Sequence, residues 1–375
     1  MQDPQDRMKG PAESLAALLR DGPLFLPDAT YGVVRATDAV DLEQAGVRML
    51  MVSAFHLMQR PGTGTVTALG GIKAMMGWRG LAATDSGGFQ AYSLIRENPR
   101  YGKITDEGLV FVPEDGDKKI QLTPERSIQT QMRLGADLMF CLDDCTHPGE
   151  PREEQARSVR RTIAWAKACK AAFALAVEMR RLDAGARPLL FGVIQGGRDA
   201  DLRRACAEAL IETGFDGFGY GGWPLDADGA LVADMLALTR ELVPAALPMH
   251  ALGVGHPASV AACHRMGYRM FDSALPTRDA RRGRLYRFRT DDPDLARPAK
   301  EWLETVYIQD KVHLKQEAPL AQSCPGLCCR RYTTGYLHHL FRINDALFAR
   351  LATIHNLAFM RRLMDRLGGT PAPRP

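Results

Sequence analysis

Residues 188–197 read Pro-Leu-Leu-Phe-Gly-Val-Ile-Gln-Gly-Gly. The run is apolar without alternation, the mark of a strand buried on both faces. A proline opens it, and a glutamine and two glycines end it, so buried strand gives way to polar turn within two residues. Runs of the same form occur at 23–29, 48–53, 80–85, 137–143, 215–221, 248–253 and 268–272. Helical patterns fall between most of them, at 123–134, 152–181, 200–213, 227–242 and 257–266. Thr123-Pro124 is a sound helix start, with a capping hydroxyl followed by proline in the first turn.

Strand and helix alternating in this way predict an α/β fold with a parallel sheet. Eight units closing on themselves give a (β/α)8 TIM barrel, with a doubly wound open sheet as the main rival. The stretch 109–122 breaks the rhythm: LVFVPEDGDKKIQL reads as two strands around an Asp-Gly turn, an inserted β-hairpin at the barrel mouth. After residue 290 the polar, proline-containing TDDPDLARPAK reads as a linker. A cysteine cluster and a helical pattern over 334–367 follow. The expected organisation is a flexible segment 1–20, a catalytic barrel 21–290, a zinc-binding helical subdomain 291–367 packed on the barrel, and a disordered tail 368–375.

With 375 residues, 46% of them hydrophobic, the chain can bury one large core. A net charge of +4 permits a polyanionic partner without requiring one. No apolar run is long enough to cross a bilayer. The N-terminus lacks the charged-then-apolar order of a signal peptide, so a cytoplasmic location is expected. The 8 cysteines fit a reducing compartment. Five are scattered, and three crowd together at Cys324, Cys328 and Cys329, a grouping that suggests a metal before a disulfide.

Polar residues gather where the apolar runs end: Asp85-Ser86-Gly87-Gly88, Asp143-Asp144, Gln195-Gly196-Gly197, Gly221-Gly222, Gly255 and Asp272. In a barrel this end carries the active site. An aspartate after a strand often only caps the next helix, and paired glycines often only make turns. Several carboxylates converging on one mouth are costly unless they do chemistry or bind charge. One acid can attack an anomeric carbon while a second moves protons on the leaving group. A further carboxylate and an amide can read the polar edge of a purine.

The motifs TDSGGFQ (84–90), LDDCT (142–146), GVIQGG (192–197), GFDGFGYGG (214–222), GVGHP (253–257) and MFDSALPTR (270–278) resemble the tRNA-guanine transglycosylases. So do YLHHL (336–340) and HNLAF (355–359), and the likeness runs over about 24–367. It implies exchange of guanine in a tRNA anticodon loop for a 7-deazaguanine, preQ1 or queuine, by a homodimer. Asp272 is then the nucleophile toward ribose C1′ and Asp85 the general acid/base. Asp143 would recognise the N–H edge of the base. Gln195 and the backbone N–H of Gly222 would hold its carbonyl oxygen, with Phe89 and Leu252 stacked on its faces. Arg278, Arg281 and Arg282 would grip RNA phosphates and neighbouring bases.

The resemblance also implies structural zinc, held by three cysteines and a histidine. Cys324, Cys329 and His355 match three of those positions. Gly326 stands where the family has its middle cysteine, which leaves Cys328 as substitute. His338 and His339 read as packing or RNA-facing residues rather than ligands. Two further departures are Ser53, where the family has Asn, and Trp223-Pro224-Leu225, where the bacterial family has small residues lining the base pocket. Cys145 resembles the bacterial, preQ1-using members. The rival functions are a catalytically silent tRNA-binding partner subunit, a paralogue acting on another nucleic acid, and a barrel glycoside hydrolase.

Overall fold

A computed structural model describes residues 10–112, 119–147, 149–226 and 228–369. All eight apolar runs form parallel strands: β1 (Leu24–Pro27), β2 (Met49–Val52), β3 (Leu81–Thr84), β4 (Leu138–Phe140), β5 (Leu189–Ile194), β6 (Gly217–Tyr220), β7 (Met249–Ala251) and β8 (Met270–Ser273). From β2 to β8 each pairs with the next in sequence, and β8 pairs with β1. Between β1 and β2 the ring is held by a bridge from Asp28 to Met51, where the Ala29 N–H donates to the Met51 carbonyl over 2.7 Å. The sheet is therefore a nearly closed barrel, and the open doubly wound alternative is excluded.

Inward side chains of the strands fill the barrel, among them Leu26, Met51, Ala83, Phe140, Phe191, Val193 and Met270. Residues 11–20, expected to belong to a flexible segment, instead lie in the helix Pro11–Asp21. Its Leu15 is buried in the same cluster as the barrel interior. This helix seals the barrel end away from the acids.

The helices Pro124–Leu134, Arg152–Met179, Ala200–Thr213, Ala233–Leu242 and Pro257–Arg265 form the outer layer. The fourth starts six residues later than its sequence pattern suggests. The preceding chain turns back on itself, with Leu225 bridged to Leu231, and lies over the barrel mouth. The expected hairpin is part of a three-stranded antiparallel sheet, Gly102–Thr105, Gly108–Phe111 and Ile120–Leu122. Its Asp115-Gly116 turn lies outside the described residues.

The boundary expected at 290/291 falls in the connection between two paired antiparallel strands, Arg284–Phe288 and Leu303–Tyr307. The C-terminal pattern is two helices, Thr334–Arg342 and Ala346–Leu367, split at Asn344, whose φ is 55°. The last helix packs on Leu275–Arg281, on Pro257–Arg265, on β1 and on Ala39–Gln44. It thus occupies the place of the barrel's eighth outer helix, so the C-terminal region completes the barrel wall. Residues 370–375 of the expected tail lie outside the described residues.

Candidate active site

Parallel strands all deliver their C-terminal ends to one rim. Here that rim surrounds a cavity of about 590 Å³, large enough for a nucleoside-sized ligand. Asp85, Phe89, Asp143, Gly222, Leu252, Asp272 and Arg278 all line it. Gln195 stands just behind, donating its amide N–H to Asp143 Oδ2 over 2.6 Å. Of the residues expected to act on the base and ribose, the fold gathers every one at this mouth.

Asp85 follows β3 directly. Its Oδ1 accepts from the backbone N–H of Ala54 (2.8 Å) and Gly87 (3.1 Å), and its Oδ2 from the Gln90 amide (2.9 Å). Burial pushes its carboxyl up to about 7, partly offset by hydrogen bonds from Ser53 and Ala54. Ser53 thus keeps contact with this acid. It also caps the helix Ala54–Gln59, its oxygen 2.9 Å from His56 Nδ1. A carboxyl that titrates near neutrality can both give and take a proton at working pH.

Asp143 is raised to about 6, again by burial, with Asp144 adding repulsion and the Gln195 bond opposing it. Asp144 is spent elsewhere: Arg161 lies 3.2 Å from its Oδ2. The Gln195 amide oxygen is buried and has no partner among the described residues. Gly222 reaches the rim with φ 93°, a backbone that side-chain-bearing residues rarely adopt.

Asp272 lies near the end of β8 with its side chain 17% exposed and lining the cavity. Both Gly253 N–H (3.1 Å) and His250 Nε2 (2.8 Å) contact its Oδ1. Oδ2 has no hydrogen-bond partner among the described residues. The arrangement leaves one carboxylate oxygen anchored and the other free to attack.

Two residues beside the site escape sequence reasoning. Asp28 follows β1 directly and lines the cavity, its oxygens held by the Thr30 hydroxyl at 2.8 Å. Burial raises its carboxyl, and its charge in turn helps raise that of Asp85. Its position after an apolar run was the available signal. His250 lies inside the run at 248–253 and gave none.

Phe89 is 46% exposed, and its ring meets the edge of Trp223 at 5.8 Å between centroids. His147 meets the same indole at 5.8 Å. Phe89 and Trp223 line the mouth of the cavity, as does Leu252. Beyond Asp272, the helix Leu275–Arg281 brings Arg278, Arg281 and Arg282 together with Arg35 from the loop after β1. Burial, followed by repulsion from these neighbours, lowers the Arg281 guanidinium. Crowded cations of this kind have the charge to receive an anion.

Away from the mouth, Cys324, Cys329 and His355 place their ligand atoms within 4.8 Å of one another, all buried. His355 Nδ1 is 3.7 Å from Cys324 Sγ and 3.3 Å from Cys329 Sγ. On a tetrahedral zinc, sulfur and imidazole nitrogen lie about 3.5 Å apart, so the donors fit that ion. The other ring nitrogen bonds to the Tyr286 carbonyl at 2.7 Å, which orients the ligand. Cys328 stands outside this group. It lies in the short helix Leu327–Arg331 and, like Cys324 and Cys329, is buried in the apolar cluster there, its thiol in hydrogen-bonding contact with that of Cys329. His338 is buried against the Ile308 carbonyl (2.7 Å) and is no part of the group.

No helix among the described residues is long and apolar enough to cross a membrane. Residues 19–368 match the family model described as queuine tRNA-ribosyltransferase. Among curated relatives, the chain is similar to the protein of that name from Solidesulfovibrio magneticus, 36% identical over 92% of this chain and 85% of the relative. The corresponding figures for the one from Thiobacillus denitrificans are 37%, 91% and 86%.

Proposed function

Since the chain belongs to the queuine tRNA-ribosyltransferase family, a family of pentosyltransferases, we propose that it exchanges guanine 34 in a tRNA anticodon loop for a 7-deazaguanine through a covalent aspartyl-ribosyl intermediate. The observation that carries this reading is the meeting of Asp85, Asp143 and Asp272 around one cavity, with Gln195 behind Asp143. The target guanosine is splayed out of its stack into that cavity. Asp143 accepts from the N–H edge of the base. Gln195 and the Gly222 N–H hold its carbonyl oxygen, and Phe89 and Leu252 cover its faces.

Asp272 Oδ2 attacks C1′ and the C1′–N9 bond breaks. Guanine leaves with that electron pair and a proton from Asp85. In the second half, N9 of the incoming base attacks C1′ and its proton passes to Asp85, while the ester electron pair returns to Asp272. Asp85, raised to about 7, can serve both halves. Arg278, Arg281 and Arg282 grip the flanking phosphates, and two copies of the chain act together, one holding the RNA that the other converts.

The acceptor is the small aminomethyl base preQ1 in preference to queuine, because Trp223 narrows the mouth beside Phe89. Cys324, Cys329 and His355 hold a structural zinc that stiffens the C-terminal wall and takes no part in the chemistry.

The test is exchange of radiolabelled guanine into tRNA. Asp272→Asn is expected to reduce it at least a thousandfold and to abolish the RNA adduct seen on a denaturing gel with the unaltered chain. Undiminished exchange by the variant would end the assignment. No exchange by the unaltered chain, with RNA binding retained, would favour the silent partner subunit.

A further inference from the structure

We propose that His250 is a positioning residue for this reaction: it donates to one oxygen of Asp272, reserves the other for C1′, and stabilises the carboxylate that must leave in the second half. The inference rests on Asp272 being the nucleophile. It concerns a side chain that no motif singled out.

β7 and β8 are in register with His250 opposite Met270, so Asp272 lies two residues further along the neighbouring strand and faces the same side. The imidazole is fully buried, its side-chain exposure 0%, and Phe140 meets it edge-on with centroids 5.3 Å apart. Its Nε2 lies 2.8 Å from Asp272 Oδ1. A carboxylate only accepts, so the shared proton sits on Nε2. Nδ1 is buried with no partner among the described residues. The ring therefore has one polar contact, and that contact is the nucleophile. A histidine held this way, with its remaining nitrogen unsatisfied, is a costly choice for mere packing.

Gly253 N–H shares the same Oδ1 at 3.1 Å. Two donors on one oxygen fix the plane of the carboxylate. Oδ2 becomes the ester oxygen, and Oδ1 remains the ester carbonyl with both donors in place. When N9 of the incoming base attacks C1′ and gives its proton to Asp85, the C1′–Oδ2 bond breaks and its electron pair passes to Asp272. Negative charge then grows on a carboxylate that already faces its donors, so no reorganisation is needed. Losing one charged hydrogen bond penalises this step more than the attack, because the ester needs its donors less than the anion does.

The experiment measures the ratio of trapped RNA adduct to free chain, together with kcat and KM for tRNA, in full-length His250→Phe, His250→Asn and His250→Gln. His250→Phe is expected to raise the adduct ratio and lower kcat, each roughly tenfold, without raising KM. The glutamine amide nitrogen reaches the place of Nε2 and restores both quantities. The asparagine amide stops near the place of Nδ1 and does not. Should the phenylalanine chain not fold, the asparagine–glutamine pair decides alone. Unchanged adduct ratio and kcat in the asparagine variant, or a glutamine variant as impaired as asparagine, overturns the role of His250. Absence of adduct in the unaltered chain removes instead the nucleophile on which the inference rests.

Discussion

The guanidinium of Arg203 donates to the carbonyl of Gly221 over 3.1 Å while only 1% exposed. Its other nitrogens hold the carbonyls of Gly197 (2.9 Å) and Ile194 (3.2 Å), and its Cζ lies 4.1 Å from the centre of the Tyr220 ring. One buried side chain thus ties together the turns after β5 and β6, which carry Gln195 and Gly222. Gly196 belongs to the same device: a Cβ there would lie 2.6 Å from the Arg203 backbone nitrogen.

Arg203→Leu is expected to lower stability by about 2–4 kcal/mol, since three carbonyls lose a charged donor inside the protein. It is also expected to raise KM for guanine more than it lowers kcat. Arg203→Lys should fall between, because a single ammonium cannot span the three acceptors. Thermal denaturation and guanine-exchange kinetics check both. Equal KM in all three chains would show that the turns hold their shape without this residue.

The acid–base assignment predicts a narrow pH profile. The first half-reaction needs Asp85 protonated and Asp143 ionised. Asp85 titrates at about 7 and Asp143 at about 6. On the alkaline side kcat/KM for tRNA should decline about tenfold per pH unit as Asp85 loses its proton, and on the acid side as Asp143 gains one. Asp143→Asn is expected to remove the acid limb at a much reduced rate. A rate that holds steady from pH 7 to 9 would contradict Asp85 as the acid.

Metal analysis of the purified chain is expected to give about one zinc per polypeptide. Cys329→Ser should lose most of it and lower the Tm. Cys328→Ser should retain it, because that thiol is outside the ligand group. Gly326→Cys is expected to tighten binding: a Cβ at position 326 would lie 3.4 Å from Cys324 Sγ, close enough to offer a third sulfur as the fourth ligand. Equal zinc loss in the Cys328 and Cys329 variants would make both of them ligands.

Trp223→Ala removes the indole that meets Phe89 and His147 at the mouth. Guanine displacement by queuine is expected to rise relative to preQ1 by about tenfold, on the scale of a steric restriction in a pocket. Side-by-side kinetics with the two bases test it. An unchanged ratio would place the selectivity elsewhere on the rim.

The eight strands were legible because each is buried on both faces, so its own residues carry the whole signal. Asp85, Asp143, Gln195 and Asp272 were legible for the related reason that they sit where an apolar run stops. The helix Pro11–Asp21 was missed because its role, sealing the barrel floor through Leu15, depends on strands far along the chain. The early start assigned to the helix Ala233–Leu242 followed a pattern that continues into the bridged turn over the site.

From sequence alone came the barrel, the rim on which the acids stand and the family whose motifs they form, all properties of short segments read one at a time. The tertiary structure alone decided which groups touch: His250 with Asp272, Arg203 with Gly221, Asp28 near Asp85, and Cys329 rather than Cys328 beside His355. These contacts join residues on different strands and helices. They are fixed by barrel register and by the direction each side chain leaves its element, quantities that exist only once the sheet has closed.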